Sequence, residues 1–363
     1  GVLAFSFGDY ELWPSTLTIL DAPVLPGGVA PSAAGEVAIG SINVLRLFDD
    51  VDDPGNQDDG QVADPVVYAE RLDRFADHIV NVMSAPAVVA FQEVESENVL
   101  LDLAAEIAGI APGLVYSAEL IEGNDVGGID VGYLVRDDVT VLNVDQLGES
   151  EILSFDGSLL HDRPPLLLQA RFTDGPDVLD VNLLVVHNRS LGGIDGPEAT
   201  RIRTKRLEQA QSIGQMVQDL QTAQPDTPLI VLGDYNAYEF TDGYVDVTGQ
   251  IAGTAIDADN DFWAPPIPSP TLEIATLSVP PQQRYSFVFQ GTAQALDHAL
   301  YSEAAAPHFL AMSYTRGSAD APEVYNEMPP VGEEDLGISD HDSFVVRLSI
   351  IAELLFADGF ESN

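Results

Sequence analysis

The sequence predicts an α+β fold in which sheets pack on each other and helices cover the outside. Three observations carry that reading. Short apolar or alternating runs recur from residue 37 to residue 350. Only three segments have helical periodicity. There is no internal repeat that would suggest a solenoid or propeller.

The strand signals come in order. Val37 to Phe48 alternates and then runs apolar, and Ala87 to Phe91 is a short buried run. Val131–Val135, Val139–Val144, Leu166–Phe172 and Val178–Val186 follow, then Leu229–Leu232, Ser286–Gln290, Leu296–Tyr301 and Phe344–Ile350. The helix signals are equally local. Asp64 is an N-cap for a helix to about Met83, with Val67, Leu72, Phe75, Ile79 and Val80 on its apolar face. Ser96 caps a second helix through Ile107, and Thr200 to Leu220 forms a third. Residues 1–35 contain two strand-like runs, Val2–Phe7 and Leu17–Leu20, broken by prolines and glycines. They read as an arm, or as the tail of a preceding module plus a linker. Residues 241–284 read as a long irregular insert rich in proline. Segments of that length are usually lids or binding loops.

Composition narrows the function. With 363 residues and 45% hydrophobic content, the chain can bury a large core. It lacks cysteine, which excludes disulfides and thiol catalysis. No uninterrupted apolar run reaches the roughly 18 residues of a membrane span. The formal net charge is −45, and Lys205 is the one lysine. Such a surface repels polyanions at low ionic strength and suits a saline medium. The expectation is a monomer secreted into such a medium, its signal peptide absent from this sequence.

Chemistry concentrates at strand ends. Asn43 lies in Ser-Ile-Asn-Val, and Glu93 follows the buried run ending in Phe91. His187 follows Leu-Leu-Val-Val, and Asp234 and Asn236 follow Ile-Val-Leu-Gly. Asp297 and His298 are adjacent, as are Asp340 and His341. A hard divalent cation takes oxygen ligands and keeps several waters, so Glu93 and Asp340 could hold one. Asn43 would serve as a neutral oxygen or a water-positioning amide. A histidine paired with a carboxylate has a fixed tautomer and a raised pKa, and His341 with Asp297 is the natural pair. His187 could hold a phosphate oxygen or act as an acid. Asp234 and Asn236 read equally as an Asx turn closing a strand or as a pair gripping phosphate and water.

In order along the chain, Asn43, Gln92-Glu93, His187, Gly233-Asp234-Tyr235-Asn236-Ala237, Leu296-Asp297-His298 and Ser339-Asp340-His341 resemble the motif set of the endonuclease/exonuclease/phosphatase superfamily. The resemblance spans about residues 37–350. It points to the secreted bacterial nuclease branch, distantly similar to pancreatic deoxyribonuclease. It implies a four-layer α/β/β/α sandwich of two mixed β-sheets flanked by helices, with a catalytic domain over 36–351 and a C-terminal tail over 352–363. It also implies hydrolysis of phosphate esters with Mg²⁺, or with Mn²⁺ in its place. By motif, Glu93, Asn43 and Asp340 resemble the metal site, and His187, Asp234, Asn236, Asp297 and His341 the catalytic groups. Asp130 resembles a support for the histidine at 187. Relatives often have an apolar residue, Lys and Ser after that histidine, where this chain has Asn188, Arg189 and Ser190.

Five of the 14 basic residues fall between Arg189 and Arg206, against two acids, Asp195 and Glu198. Either this helix surface neutralises nearby acids, or Asn188, Arg189 and Arg203 hold phosphates flanking the scissile one. Asp257, Asp259 and Asp261 have calcium-loop spacing, but Phe262 and Pro268 stand where glycine and glutamate belong, so an EF-hand is excluded. A structural Ca²⁺ there, or on the Asp49–Asp59 loop, stays open. The expected function is therefore a nuclease acting on DNA, and on RNA as a second substrate, with little sequence preference. A phosphodiesterase of lipid or small-molecule esters, with the 241–284 insert as an apolar lid over Phe262 and Trp263, is the alternative. A catalytically silent binding module is the third.

Overall fold

A computed structural model describes residues 1–6, 9–13, 15–16, 25–52, 61–326 and 336–352. The run at Leu17–Leu20, most of the Asp49–Asp59 loop and the tail from 353 lie outside the described residues. In chain order the strands are β1 (Val2–Ser6), β2 (Asp9–Trp13), β3 (Glu36–Leu47), β4 (Val88–Val94), β5 (Tyr116–Leu120), β6 (Asp130–Arg136), β7 (Thr140–Gln146) and β8 (Leu166–Asp174). They continue as β9 (Asp177–His187), β10 (Leu229–Asp234), β11 (Glu273–Ile274), β12 (Phe287–Phe289), β13 (Thr292–Gln294), β14 (Asp297–Tyr301), β15 (Phe309–Tyr314) and β16 (Phe344–Ser349). The helices are α1 (Pro65–Asp77), α2 (Glu97–Ile110), α3 (Ala199–Ala223) and α4 (Val247–Ala252).

Two six-stranded mixed sheets form the body, ordered β15-β16-β3-β4-β6-β5 and β11-β14-β10-β9-β8-β7. Their facing residues form one core, including Ile39, Val88, Tyr133, Leu168, Leu183, Ile230, Leu232 and Phe344. A second core lies between the first sheet and α1 and α2, and a third between the second sheet and α3 and α4. This is the four-layer sandwich, and it follows from strands buried on both faces.

The capping signals hold. Asp64 Oδ1 accepts from Val66 N at 2.9 Å with Pro65 in the first turn, and Ser96 Oγ accepts from Val99 N. The first helix runs to Asp77 and continues as a π-turn over His78–Val82. Its buried face is Tyr68, Leu72, Phe75 and Ile79 rather than Val67, which is exposed. β5 and β15 are edge strands that the periodicity did not mark. β1 and β2 form a separate antiparallel pair.

The 241–284 insert is not a free lid. Its Val245, Val247, Ile251 and Leu272 belong to the third core, with Phe262 packed against it, and β11 adds to the edge of the second sheet.

His78 ties the outer layer to the sandwich, its Nε2 lying 2.9 Å from Ser343 Oγ at the start of β16. Burial pushes the His78 imidazole down to about 3. It stays neutral in the fold but would protonate in the unfolded chain below its ordinary pKa of 6.5. Unfolding therefore takes up a proton between those values, and this group's contribution falls as pH drops below 6.5. In urea titrations the wild type should lose about 2 kcal/mol relative to His78→Gln between pH 6.5 and pH 5. Parallel curves for the two proteins would refute this account of His78.

Candidate active site

The register of the second sheet puts three of the predicted groups in one row. Across the parallel β9–β10 pair, Asp234 lies opposite His187; across the antiparallel β10–β14 pair, it lies opposite Asp297. Gly233 permits this close approach. Its φ is +133°, and a Cβ there would sit 2.2 Å from the Val186 carbonyl oxygen. The turn beyond is the predicted Asx turn: Asn236, at φ 49°, donates its N–H to Asp234 Oδ1 at 2.7 Å and its Nδ2 to Asp234 Oδ2 at 3.0 Å.

The first sheet delivers Asn43 and Glu93 to the same place. Glu93 sits in a β-bulge at φ 66°, where the β4–β6 register shifts between Gln92 and Val94. Asn43 Nδ2 donates to Glu93 Oε1 at 3.1 Å and to Asp234 Oδ2 at 3.2 Å, so one amide spans both sheets. Its Oδ1 is taken by Leu45 N at 2.9 Å. Asn43 is thus a positioning amide, and the alternative of a neutral oxygen ligand does not match this orientation. Two carboxylate acceptors on one side and an N–H donor on the other fix which end is which.

His341 is held from three directions. Its Nδ1 lies 2.6 Å from Asp297 Oδ2, its N–H donates to Ser339 Oγ, and the Phe287 ring lies 4.8 Å from its own. Ser339 Oγ in turn donates to the Asn43 carbonyl at 2.7 Å, locking this loop to β3. His341 Nε2 is 4.0 Å from Asp234 Oδ2. His187 Nε2 is 3.5 Å from Asp234 Oδ2 and 3.7 Å from Glu93 Oε1.

The two histidines are driven apart. Burial, then the positive charges of Arg163 and His341, hold His187 well below the usual imidazole range, so it is neutral. Burial alone would lower His341 too, but the carboxylates of Asp297, Asp234 and Asp340 outweigh it and hold His341 well above that range. Burial raises the Asp234 carboxyl, against the pull of the His341 imidazolium. The site thus pairs a neutral imidazole, an imidazolium and a carboxylate of raised proton affinity.

A cavity of about 800 Å³ opens above this cluster. Glu93, His187, Asp234, Asn236, Asp340 and His341 line it, as do Arg189, Tyr238, Tyr244, Phe287 and Phe289. Asp297 sits behind His341, buried. The donor types suit a hard divalent cation, since the carboxylates Glu93, Asp234 and Asp340 all line the cavity. Asp234, Asp297 and His341 are the one group of three among the described residues whose ligand atoms converge within 4.8 Å. In that group the imidazole Nδ1 is already committed to Asp297 and the surrounding carboxylates favour the protonated ring, so what the group offers a hard cation is carboxylate oxygen. Asp257, Asp259 and Asp261 do not converge in this way, and the structure gives no support to a Ca²⁺ site there.

Other predicted residues fall elsewhere. Asp130 accepts from Gly123 N at 2.9 Å, and no bond joins it to His187, whose Nδ1 is buried without a hydrogen-bond partner among the described residues. The Asn188 side chain is buried away from the cavity; its backbone works instead, donating to the Asp234 carbonyl and accepting from Asn236 Nδ2 at 3.2 Å. Arg203 does not reach the cavity either. Its guanidinium stacks 3.5 Å from the Tyr244 ring centroid and binds Asp195 and the Ile194 carbonyl. The basic helix surface is mostly an internal ion-pair set: Arg201 with Asp156, Lys205 with Asp162, Arg206 with Asp242. Arg189 keeps its place on the wall, held by Ser190 Oγ and the Gly192 carbonyl. His298 is structural, clamped between Thr276 Oγ1 and the Ala237 carbonyl. Missed by the sequence were Phe287, which covers His341, and Arg163, which binds Asp125 and the Asn188 carbonyl. Neither sits in a motif, and only the tertiary fold brings them here.

These features define a class: a two-sheet sandwich with a carboxylate, amide and imidazole cluster where strands from both sheets end. The chain belongs to the Endonuclease/Exonuclease/phosphatase family, whose model matches residues 38–252. That family performs metal-dependent hydrolysis of phosphodiester bonds. No curated protein matches the chain. Among solved structures it is similar to truncated TDP2 of Caenorhabditis elegans, with TM-score 0.51 and 16% identity over 86% of this chain and 97% of that one. An endonuclease/exonuclease/phosphatase protein of Bacteroides vulgatus gives TM-score 0.51 and 16% identity, covering 86% of this chain and 98% of that one. D. rerio TDP2 complexed with single strand DNA product gives 0.50 and 16%, covering 86% and 98%.

Arg206, 1% exposed, donates to the Arg189 carbonyl at 2.7 Å and the Asn236 carbonyl at 2.8 Å, and pairs with Asp242. Arg206→Ala removes the buried guanidinium that joins the Arg189 and Asn236 carbonyls to Asp242 and should cost about 3 kcal/mol in chemical denaturation. A loss below about 1 kcal/mol would show that Arg206 does not hold the turn.

Proposed function

We propose that this chain is a divalent-metal-dependent nuclease that hydrolyses phosphodiester bonds of DNA, with RNA as a second substrate. The observation that carries this reading is the convergence of Glu93, His187, Asp234, Asn236 and His341 on one cavity floor. Glu93 and Asp340 would hold Mg²⁺ or Mn²⁺, which when bound neutralises charge on the phosphate. A water attacks phosphorus, its proton passes to Asp234, and the bond from phosphorus to the leaving oxygen breaks. Asn236 and neutral His187 orient non-bridging oxygens. The His341 imidazolium, aligned by Asp297, presents Nε2–H where negative charge builds. Aromatic side chains beside Arg189 suit nucleotides, and a neighbour of this fold carries a single-strand DNA product. Glu93→Ala and His341→Ala should each lower kcat about 1,000-fold or more while circular dichroism stays native. Near-full activity in either would count against the assignment.

A second reading, a phosphodiesterase of small organic esters, is favoured by the −45 net charge and by the ion-paired state of the α3 cations. Salt separates the two. A polyanion is repelled by this surface, so KM for a long DNA should fall as salt rises from about 20 mM to 500 mM. KM for an uncharged-flank diester such as bis-nitrophenyl phosphate should move little. Cleavage confined to small diesters at every salt concentration would establish the second reading. The same charge supports a working place outside the cell in a saline medium.

A further inference from the structure

Fourteen basic side chains have to serve a chain of formal charge −45, and all but one of them are spent inside the protein. Ten pair with carboxylates, such as Arg136 with Asp138, Arg163 with Asp125, Arg171 with Asp180 and Arg316 with Asp342. Arg71 and Arg74 donate to backbone carbonyls, and Arg189 to a hydroxyl and a carbonyl. Arg46 is the exception. Its guanidinium has no hydrogen bond or ion pair among the described residues, and its ring neighbour is Phe48 at 5.8 Å. It is exposed, and it lines the mouth of the cavity that holds Glu93, His187, Asp234 and His341.

Its placement is built. Three residues after Asn43, the β3–β4 register breaks, and Leu45 and Arg46 both take left-handed backbone angles, φ 49° and 55°. Neither is a glycine, so the conformation must be held from outside. Two clamps hold it. Asn43 Oδ1 accepts from Leu45 N at 2.9 Å, coupling the bulge to the amide at the heart of the site. Arg71, on α1, donates to the carbonyls of Val44, Leu45 and Arg46 at 2.5, 2.9 and 3.0 Å. Three of the hydrogen bonds that Arg71 donates thus go to the backbone that carries Arg46 to the cavity mouth.

We propose that Arg46 is a substrate-binding residue that receives a second phosphate, the one flanking the phosphate being cleaved. A planar guanidinium matches two phosphate oxygens at once. The floor groups already surround the scissile phosphate, and Arg46 stands at the rim above them. On a chain this acidic, a single uncommitted cation at that rim selects substrates whose anionic groups are spaced along a strand. This rests on the nuclease reading above.

The test compares two dinucleotides with the full chain and Mg²⁺: d(TpT), which has one phosphate, and d(pTpTp), which carries a phosphate at each end. Cleavage of the central bond is followed by chromatography. The wild type should show KM about tenfold lower for d(pTpTp), from one charge-assisted contact. Arg46→Ala should bring the two KM values together, with the change in KM rather than kcat, and Arg46→Lys should retain an intermediate preference. A preference that survives in Arg46→Ala, or a wild type that cleaves both with equal KM, overturns the assignment and leaves the nuclease reading in place. A wild type that cleaves neither dinucleotide overturns both.

Discussion

The site depends on one row of backbone pairings. His187, Asp234 and Asp297 are neighbours because β9, β10 and β14 hydrogen-bond in that register, and a one-residue slip would turn each side chain to the opposite face. Gly233 lets the strands stay close at that point. Within its own sheet Asp234 is held by the Asn236 turn. Asn43, crossing from the other sheet, satisfies Asp234 Oδ2 and Glu93 Oε1 with one amide group. The sandwich interface and the catalytic floor therefore share a hydrogen bond, and displacement of either sheet would break it.

Burying several acids together demands compensation. The compensation is asymmetric. His341 gathers the carboxylates of Asp297, Asp234 and Asp340 and carries a proton, while His187, near Arg163, does not. The two imidazoles share a cavity but not a charge state, and their roles follow from that difference. The divergence arises from which charged groups surround each ring, since both are buried to the same degree.

Much of this was legible in the sequence because the cavity-floor residues lie in short motifs at the ends of apolar runs, where local pattern and tertiary position coincide. Leu229–Leu232 announces a buried strand, and Asp234 and Asn236 announce the turn that closes it. What could not be read depends on separation. Arg201 meets Asp156 and Lys205 meets Asp162 across more than forty residues, so a cluster that looks like a phosphate-binding surface in one dimension is neutralised in three. The bulges at Glu93 and at Leu45-Arg46 leave no compositional mark either, since neither uses the glycine that usually signals a left-handed residue. The edge strands β5 and β15 pair on one side only; β5 mixes polar and apolar residues, and β15 has a four-residue apolar run, Phe309–Met312, that the pattern reading passed over.

The ion-pair set also bears on how so acidic a protein can work on phosphate esters. Cations scattered over the surface would soften the general repulsion without telling one site from another. Here most of them are held in ion pairs or on backbone carbonyls, and Arg46 at the cavity mouth is the exception. Approach of an anionic substrate is then governed by ionic strength, and its final placement by the floor of one cavity. Long-range repulsion decays within a Debye length of about 8 Å at physiological ionic strength, whereas contacts inside a partly closed cavity are screened far less. Separating the two lets the chain carry a large net charge while the cavity keeps a local field set by His341, the carboxylates around it and the arginines of the wall.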